Sequence, residues 1–114
     1  MSKYTELSDF EINKKVAYLI GATPFPFGST DYRRSAVSGC ESAIIIRSPR
    51  KVGSFDPCNN PTDAMPIIIE NKIAMNPKDN VWQCGSGWNV AENKNPYRAA
   101  MELFLLIKDA ESNR

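Results

Sequence analysis

Apolar positions recur with two different periods along this chain. Between Leu7 and Gly21 the apolar residues Ile12, Val16 and Leu19 stand at helical spacing. Ser8-Asp9-Phe10-Glu11 precedes them and reads as a capping box, with Ser8 as N-cap and Glu11 reaching back. Leu7 and Ile12 are placed for the hydrophobic staple across that cap. Gly21 suits the left-handed residue that ends such a helix. Asn13, Lys14 and Lys15 fall off the stripe and are expected to face water or a groove.

The period then changes. Residues 32–38 and 42–47 read as two strands of a hairpin around Ser38-Gly39-Cys40. Ile44-Ile45-Ile46 is β-branched throughout and suits a strand buried on both faces. Before it, Phe25 and Phe27 sit among Pro24, Pro26 and Gly28 in a loop. Those rings either pack on the sheet or form an apolar flap over a ligand. A second helix is expected over 61–71, with Ala64, Ile67 and Ile68 inward and Pro66 loosening its first turns. Residues 73–75 and 81–84 suggest a second hairpin around the turn-rich 76–80 segment. Gly85-Ser86-Gly87-Trp88 is flexible backbone beside an aromatic. The last helix starts at Pro96 and runs to about residue 110, burying Ala99, Ala100, Leu103, Phe104 and Ile107.

The predicted order is α-β-β-α-β-β-α. It implies one α+β domain over 1–114, with a mainly antiparallel sheet packed with helices.

Composition narrows the function classes. Fourteen basic and thirteen acidic residues leave a net charge of +1, far from the excess of a dedicated nucleic-acid binder. No apolar run approaches the ~20 residues of a membrane span, and the first residues hold no apolar signal core. A cytosolic protein is expected. The chain has no histidine, the usual general acid–base group and the partner of Ser and Cys nucleophiles. Cys40, Cys58 and Cys84 form no Cys-x-x-Cys pair, so free thiols are expected and no metal site. These features speak against an enzyme and imply no cofactor.

One pattern occurs twice. Asn60-Pro61-Thr62-Asp63-Ala64 and Asn95-Pro96-Tyr97-Arg98-Ala99 each open an apolar run. Asn is a preferred N-cap, and Pro suits the first helical position. Each copy reads as a helix start, whose free N–H groups either simply receive a cap or hold an anion. Arg98 runs against the helix dipole, which favours acids in the first turn. It is expected to pair with Asp63, its counterpart in the other copy, or to reach an anion.

Three blocks of the chain resemble the motif blocks of NinX-like proteins, small accessory proteins of lambdoid tailed phages and their prophages. They are Leu7-Ser8-Asp9-Phe10-Glu11-Ile12-Asn13, the stretch Pro57-Cys58-Asn59-Asn60-Pro61-Thr62-Asp63-Ala64-Met65-Pro66-Ile67-Ile68, and Asn95-Pro96-Tyr97-Arg98-Ala99-Ala100-Met101. The middle block departs at Met65, where the resemblance implies Trp. The general plan is more distantly similar to phage ABA sandwich domains. The resemblance implies a protein made in the host cytoplasm that blocks a defence, binds a host protein or assists phage DNA metabolism.

The blocks supply Asn13, Asn59, Asn60, Asp63, Asn95 and Arg98, an amide-rich set suited to recognising a ligand rather than transforming it. Trp88, beside Gly87, is the candidate for a ligand face, and Trp82 for the core. The expected function is non-catalytic sequestration of a small anionic nucleotide, an immune signal of the host. Asn60 and Asn95 would hold phosphate or ribose, Arg98 would neutralise charge, and Trp88 or Phe27 would cover the base. The alternatives are a protein–protein inhibitor of a host enzyme and an accessory factor in phage DNA metabolism. No stable nucleic-acid partner and no membrane are expected, and a homo-oligomer is open. A second basic cluster, Arg33, Arg34, Arg47, Arg50 and Lys51 against Glu41, surrounds the first hairpin.

Overall fold

The computed structural model describes residues 3–26, 28–48, 52–86 and 89–112. It is an α+β protein with three helices and antiparallel sheets. The backbone divides into two compact units, Leu7–Asp56 and Pro57–Arg114 together with Met1–Glu6.

The first unit opens with α1 (Asp9–Leu19). The Ser8 side chain accepts the Glu11 N–H at 3.1 Å, as the capping sequence requires. The helix ends in a Schellman motif: the Gly21 N–H donates to Tyr18 O, and the Ala22 N–H donates to Ala17 O. Gly21 has φ +81°, the left-handed turn that only glycine takes without strain. The buried face is Ile12, Asn13, Val16 and Ala17. It is rotated from the expected stripe, leaving Leu19 42% exposed.

Beyond α1 lie β1 (Thr23–Pro24), β2 (Arg33–Arg34), β3 (Ile44–Ser48) and β4 (Gly53–Phe55). β3 pairs antiparallel with all three others. The expected β2–β3 hairpin is present, but its first strand is much shorter than 32–38. Residues 36–39 are exposed and turn at Gly39 (φ +85°), so they have nothing to pack on. Ile44 and Ile46 are buried against the α1 side, whereas Ile45 is only part-buried. Its opposite partners explain this: Arg33 and Ser54 flank Ile45, giving that face of the sheet a polar surface. The strand therefore alternates instead of being buried on both faces.

In the second unit, α2 (Pro61–Glu70) follows its Asn60 cap, with Ala64, Ile67 and Ile68 buried. The helix runs through Pro66. Its last carbonyls are closed by the Asn71 side chain on Ile67 O and by the Ile73 N–H on Ile68 O. Lys72 takes the left-handed position there, at φ +53°.

β5 (Met75–Lys78), β6 (Val81–Ser86) and β7 (Asn89–Asn93) form a meander in the order β5-β6-β7. The turn is tighter than expected. Lys78 and Val81 are directly opposed, so only Asp79 and Asn80 form the loop, and Asp79 supplies φ +55°. β5 consequently runs through Pro77, which an edge strand tolerates. β7 occupies a stretch for which no strand was expected. Its cross-strand partner to Cys84 is Ala91, and both are buried under α3 (Pro96–Ser112). Gly85 permits the approach: a Cβ there would lie 2.3 Å from Asn89 O and 2.8 Å from a Leu103 methyl. In α3 every residue from Arg98 to Leu105 is buried, wider than a one-sided stripe, because α2 also packs on it.

Candidate functional site

The twin Asn-Pro starts behave as caps, with different amounts of additional bonding. Asn60 Oδ1 accepts the Thr62 N–H at 3.0 Å at the head of α2. Asn95 Oδ1 accepts the Tyr97 N–H at 3.0 Å, and its backbone carbonyl receives the Ala99 N–H. Its amide nitrogen then donates to Cys58 O at 2.7 Å and to Asn59 Oδ1 at 3.1 Å. Asn59, Asn60, Asn95, Asp63 and Arg98 thus all lie in the second unit, and Asn95 ties the two motif blocks together through Cys58 and Asn59.

Arg98 is 6% exposed. Its Nε donates to Glu102 Oε2 at 2.7 Å, and a terminal nitrogen donates to Tyr4 O at 3.0 Å. Glu102 is fully buried, and its Oε1 has no hydrogen-bond partner among the described residues. Tyr4 Oη donates to Asp109, which also pairs with Lys3 at 2.9 Å, so the N-terminal segment is fastened along α3. Burial is the main cause of the raised Tyr4 pKa. Asp63 is buried.

Asn13 lies in the other unit and does not face water or a groove. It is 0% exposed, and its amide donates to Ser42 O at 2.9 Å and to Asp56 Oδ1 at 2.7 Å. Ser42 Oγ donates to the other Asp56 oxygen at 2.6 Å. The node joins α1 to the open end of the β3–β4 pair, just before β3 and just after β4, which accounts for an amide on a buried helix face. Trp88 lies outside the described residues, as do Phe27, Arg50 and Lys51.

The first unit holds a surface that the motif blocks do not mark. Pro26, Gly28, Ser29, Thr30, Asp31 and Arg33 line an open groove of about 630 Å³, with Tyr32 beside them. Tyr32 Oη is anchored on Ala22 O at 2.5 Å. Asp31 accepts the Tyr32 N–H at 2.8 Å and pairs with Lys14 Nζ at 3.3 Å; these contacts hold its carboxyl below the usual range, the backbone bond contributing most. Arg33 is exposed. Arg34, the next residue, places its guanidinium carbon 4.0 Å over the Phe10 ring and donates to Glu41 O at 2.7 Å. Lys14 Nζ stands 5.3 Å over the same ring. Two sequence signals pointed toward this surface: the basic cluster around the first hairpin, and the Pro- and Phe-bearing loop that supplies Pro26 and Gly28. Lys14, expected to face water or a groove, reaches it from α1 through Asp31, and Phe10, given no role within the capping box, lies under Arg34 and Lys14.

The cysteines are free thiols, with Cys58 and Cys84 buried and Cys40 part-buried. Burial pushes the Cys84 thiol up to about 11. Among the described residues, no three His, Cys, Asp or Glu side chains are grouped as a metal ion requires, and no helix is long and apolar enough to cross a membrane.

No curated protein and no solved structure matches the chain. The family model described as "Bacteriophage P22, NinX" matches residues 3–108, which includes all three motif blocks. The chain belongs to the NinX family of phage proteins.

Proposed function

We propose that this phage protein is a non-catalytic binding protein that sequesters a small anionic nucleotide, an immune signal of the infected host. The observation that carries the reading is the groove beside Arg33. Its volume, about 630 Å³, lies within the range of about 300–1,000 Å³ typical of small-ligand sites. Ser29 and Thr30 offer hydroxyls, Arg33 offers an exposed guanidinium, and Lys14 offsets the one carboxylate, Asp31. The Asn60 and Asn95 helix starts and Arg98 are assigned a supporting role, because their polar groups already serve the protein itself. The lack of histidine and the raised Cys84 pKa favour binding over covalent or acid–base chemistry.

The test is retention of ligand. Purified protein is incubated with cyclic oligonucleotides and cyclic ADP-ribose derivatives, freed of unbound material and heat-denatured, and the supernatant is examined by mass spectrometry. Intact nucleotide is the expected result. Altered nucleotide makes the protein an enzyme, and empty protein overturns the sequestration reading.

A second reading, inhibition of a host protein, is favoured by Tyr18 at 76% exposure together with Phe25 and Val37. Capture of one host protein, lost with Tyr18→Ser and retained with Arg33→Ala, selects that reading.

A further inference from the structure

We infer that a second pocket, formed where the end of α2 meets the meander and α3, takes a small monocarboxylate with an apolar body. The pocket has a volume of about 240 Å³, and all the residues that line it belong to the second unit. It is smaller than the sites of drug-sized ligands, about 300–1,000 Å³, and larger than the roughly 150 Å³ cavity that holds benzene. Ile73, Leu103 and Ile107 give it apolar walls. Leu103 is 1% exposed and Ile73 8%, whereas Lys72 and Ala74 are exposed, so the pocket runs from the surface down to the core. Gly85 adds bare backbone to the lining, where a Cβ would collide with Leu103.

Two polar residues, Lys72 and Asn89, line the same pocket. Neither side chain has a hydrogen-bond or ion-pair partner among the described residues. Lys72 also carries a conformational cost. Its N–H donates to Ile69 O and the Ile73 N–H donates to Ile68 O, which makes it the left-handed residue of a Schellman motif, at φ +53°. Glycine fills that position without strain. Attraction to the negative end of the α2 dipole would be met as well by a base in the last turn of the helix, which has none. A strained residue kept at the mouth of a pocket points to a use for its side chain. An ammonium and an amide N–H are donors that a carboxylate accepts, and the apolar walls suit the body that carries it. One cation matches one negative charge, which favours a monocarboxylate over a phosphate ester. The inference is independent of the nucleotide-binding reading, which concerns the groove of the first unit.

The experiment titrates the full chain, with isotope-labelled Ile and Leu methyl groups, by nuclear magnetic resonance. The probes are hydrocinnamate and its neutral analogue, hydrocinnamyl alcohol. Hydrocinnamate at up to about 10 mM should shift the Leu103 and Ile107 methyl signals saturably. The alcohol should bind at least about threefold more weakly. Lys72→Gly should bring hydrocinnamate down to the level of the alcohol and leave the alcohol unchanged. That substitution relieves backbone strain, so its loss of binding is not unfolding. Asn89→Asp, which puts a negative charge where the amide stood, should weaken hydrocinnamate and leave the alcohol unchanged.

Unshifted Leu103 and Ile107 methyls in the wild type would overturn the site. Equal affinity for the acid and the alcohol would overturn the carboxylate assignment. So would a Lys72→Gly protein that binds hydrocinnamate as tightly as wild type.

Discussion

The side-chain amide of Asn95 donates to the backbone carbonyl of Cys58 at 2.7 Å, while its own carbonyl oxygen caps α3. One residue thus starts a helix and closes the loop that leads into another. Asn60, in the matching position, has a cap bond to Thr62. The two Asn→Ala variants should therefore differ. Asn60→Ala should cost about 1 kcal/mol, as for an ordinary cap. Asn95→Ala should cost about 2 kcal/mol or more, because its bond to the Cys58 carbonyl is lost along with the cap. Urea unfolding of both variants checks the order, and equal losses would mean that the Asn95–Cys58 bond contributes nothing.

Arg98 and Glu102 form a buried ion pair, with side-chain exposures of 8% and 1%. Removing one partner strands the other charge away from water. Arg98→Ala should lower stability by about 3–5 kcal/mol. A loss below about 1 kcal/mol, the range of exposed pairs, would return Arg98 to the list of ligand contacts.

Gly85 should be irreplaceable. Its φ is +91°, and a Cβ would meet backbone as well as the Leu103 side chain. Gly85→Ala should cost about 3 kcal/mol, from strain and overpacking together. Lys72 presents the opposite case: an exposed side chain in the left-handed cap of α2. Lys72→Gly should stabilise by about 0.5–1 kcal/mol, since glycine takes that conformation freely. Thermal melts of the two variants should move in opposite directions.

The Cys84 thiol is raised from 9.0 to about 11 by burial. The folded state therefore holds this proton more tightly than the unfolded chain. The associated stability is present below about pH 9 and is lost as pH rises toward 11. Cys84→Ala should be less stable at pH 8 through lost packing, yet show a shallower decline between pH 9 and 11. Thiol labelling of the native protein at pH 8 should reach Cys40 first, because Cys58 and Cys84 are buried.

Asp31 is the one acid lining the groove. Asp31→Asn removes a charge that opposes an anion and releases Lys14. Ribose 5-phosphate should then bind about threefold more tightly. Weaker binding would mean that Asp31 positions Lys14 for the ligand.

The helices were legible because their signals are local. Ser8, Asn60 and Asn95 cap where their sequence context says they should, and Gly21 ends α1. Three strands, β1, β4 and β7, were not foreseen. β1 pairs with residues some way along the chain, whereas β4 and β7 pair with the strand just before them but are short or polar, with few strand-forming residues to mark them. Asn13 was misplaced for a related reason. Its amide is satisfied by Ser42 and Asp56, 29 and 43 residues away, which helical periodicity cannot register. The motif blocks identified positions with demanding hydrogen bonding. The groove is made of ordinary loop residues, marked in the sequence only by the nearby arginines and by the Pro- and Phe-bearing loop that forms one side of it.

Pro77 lies in β5, the outer strand of the meander. It takes a hydrogen-bond donor out of that strand, and Lys78 beside it adds an exposed charge. A second copy of the chain approaching there would find a broken template for continuing the sheet. Edge-to-edge sheet extension is thereby disfavoured at β5.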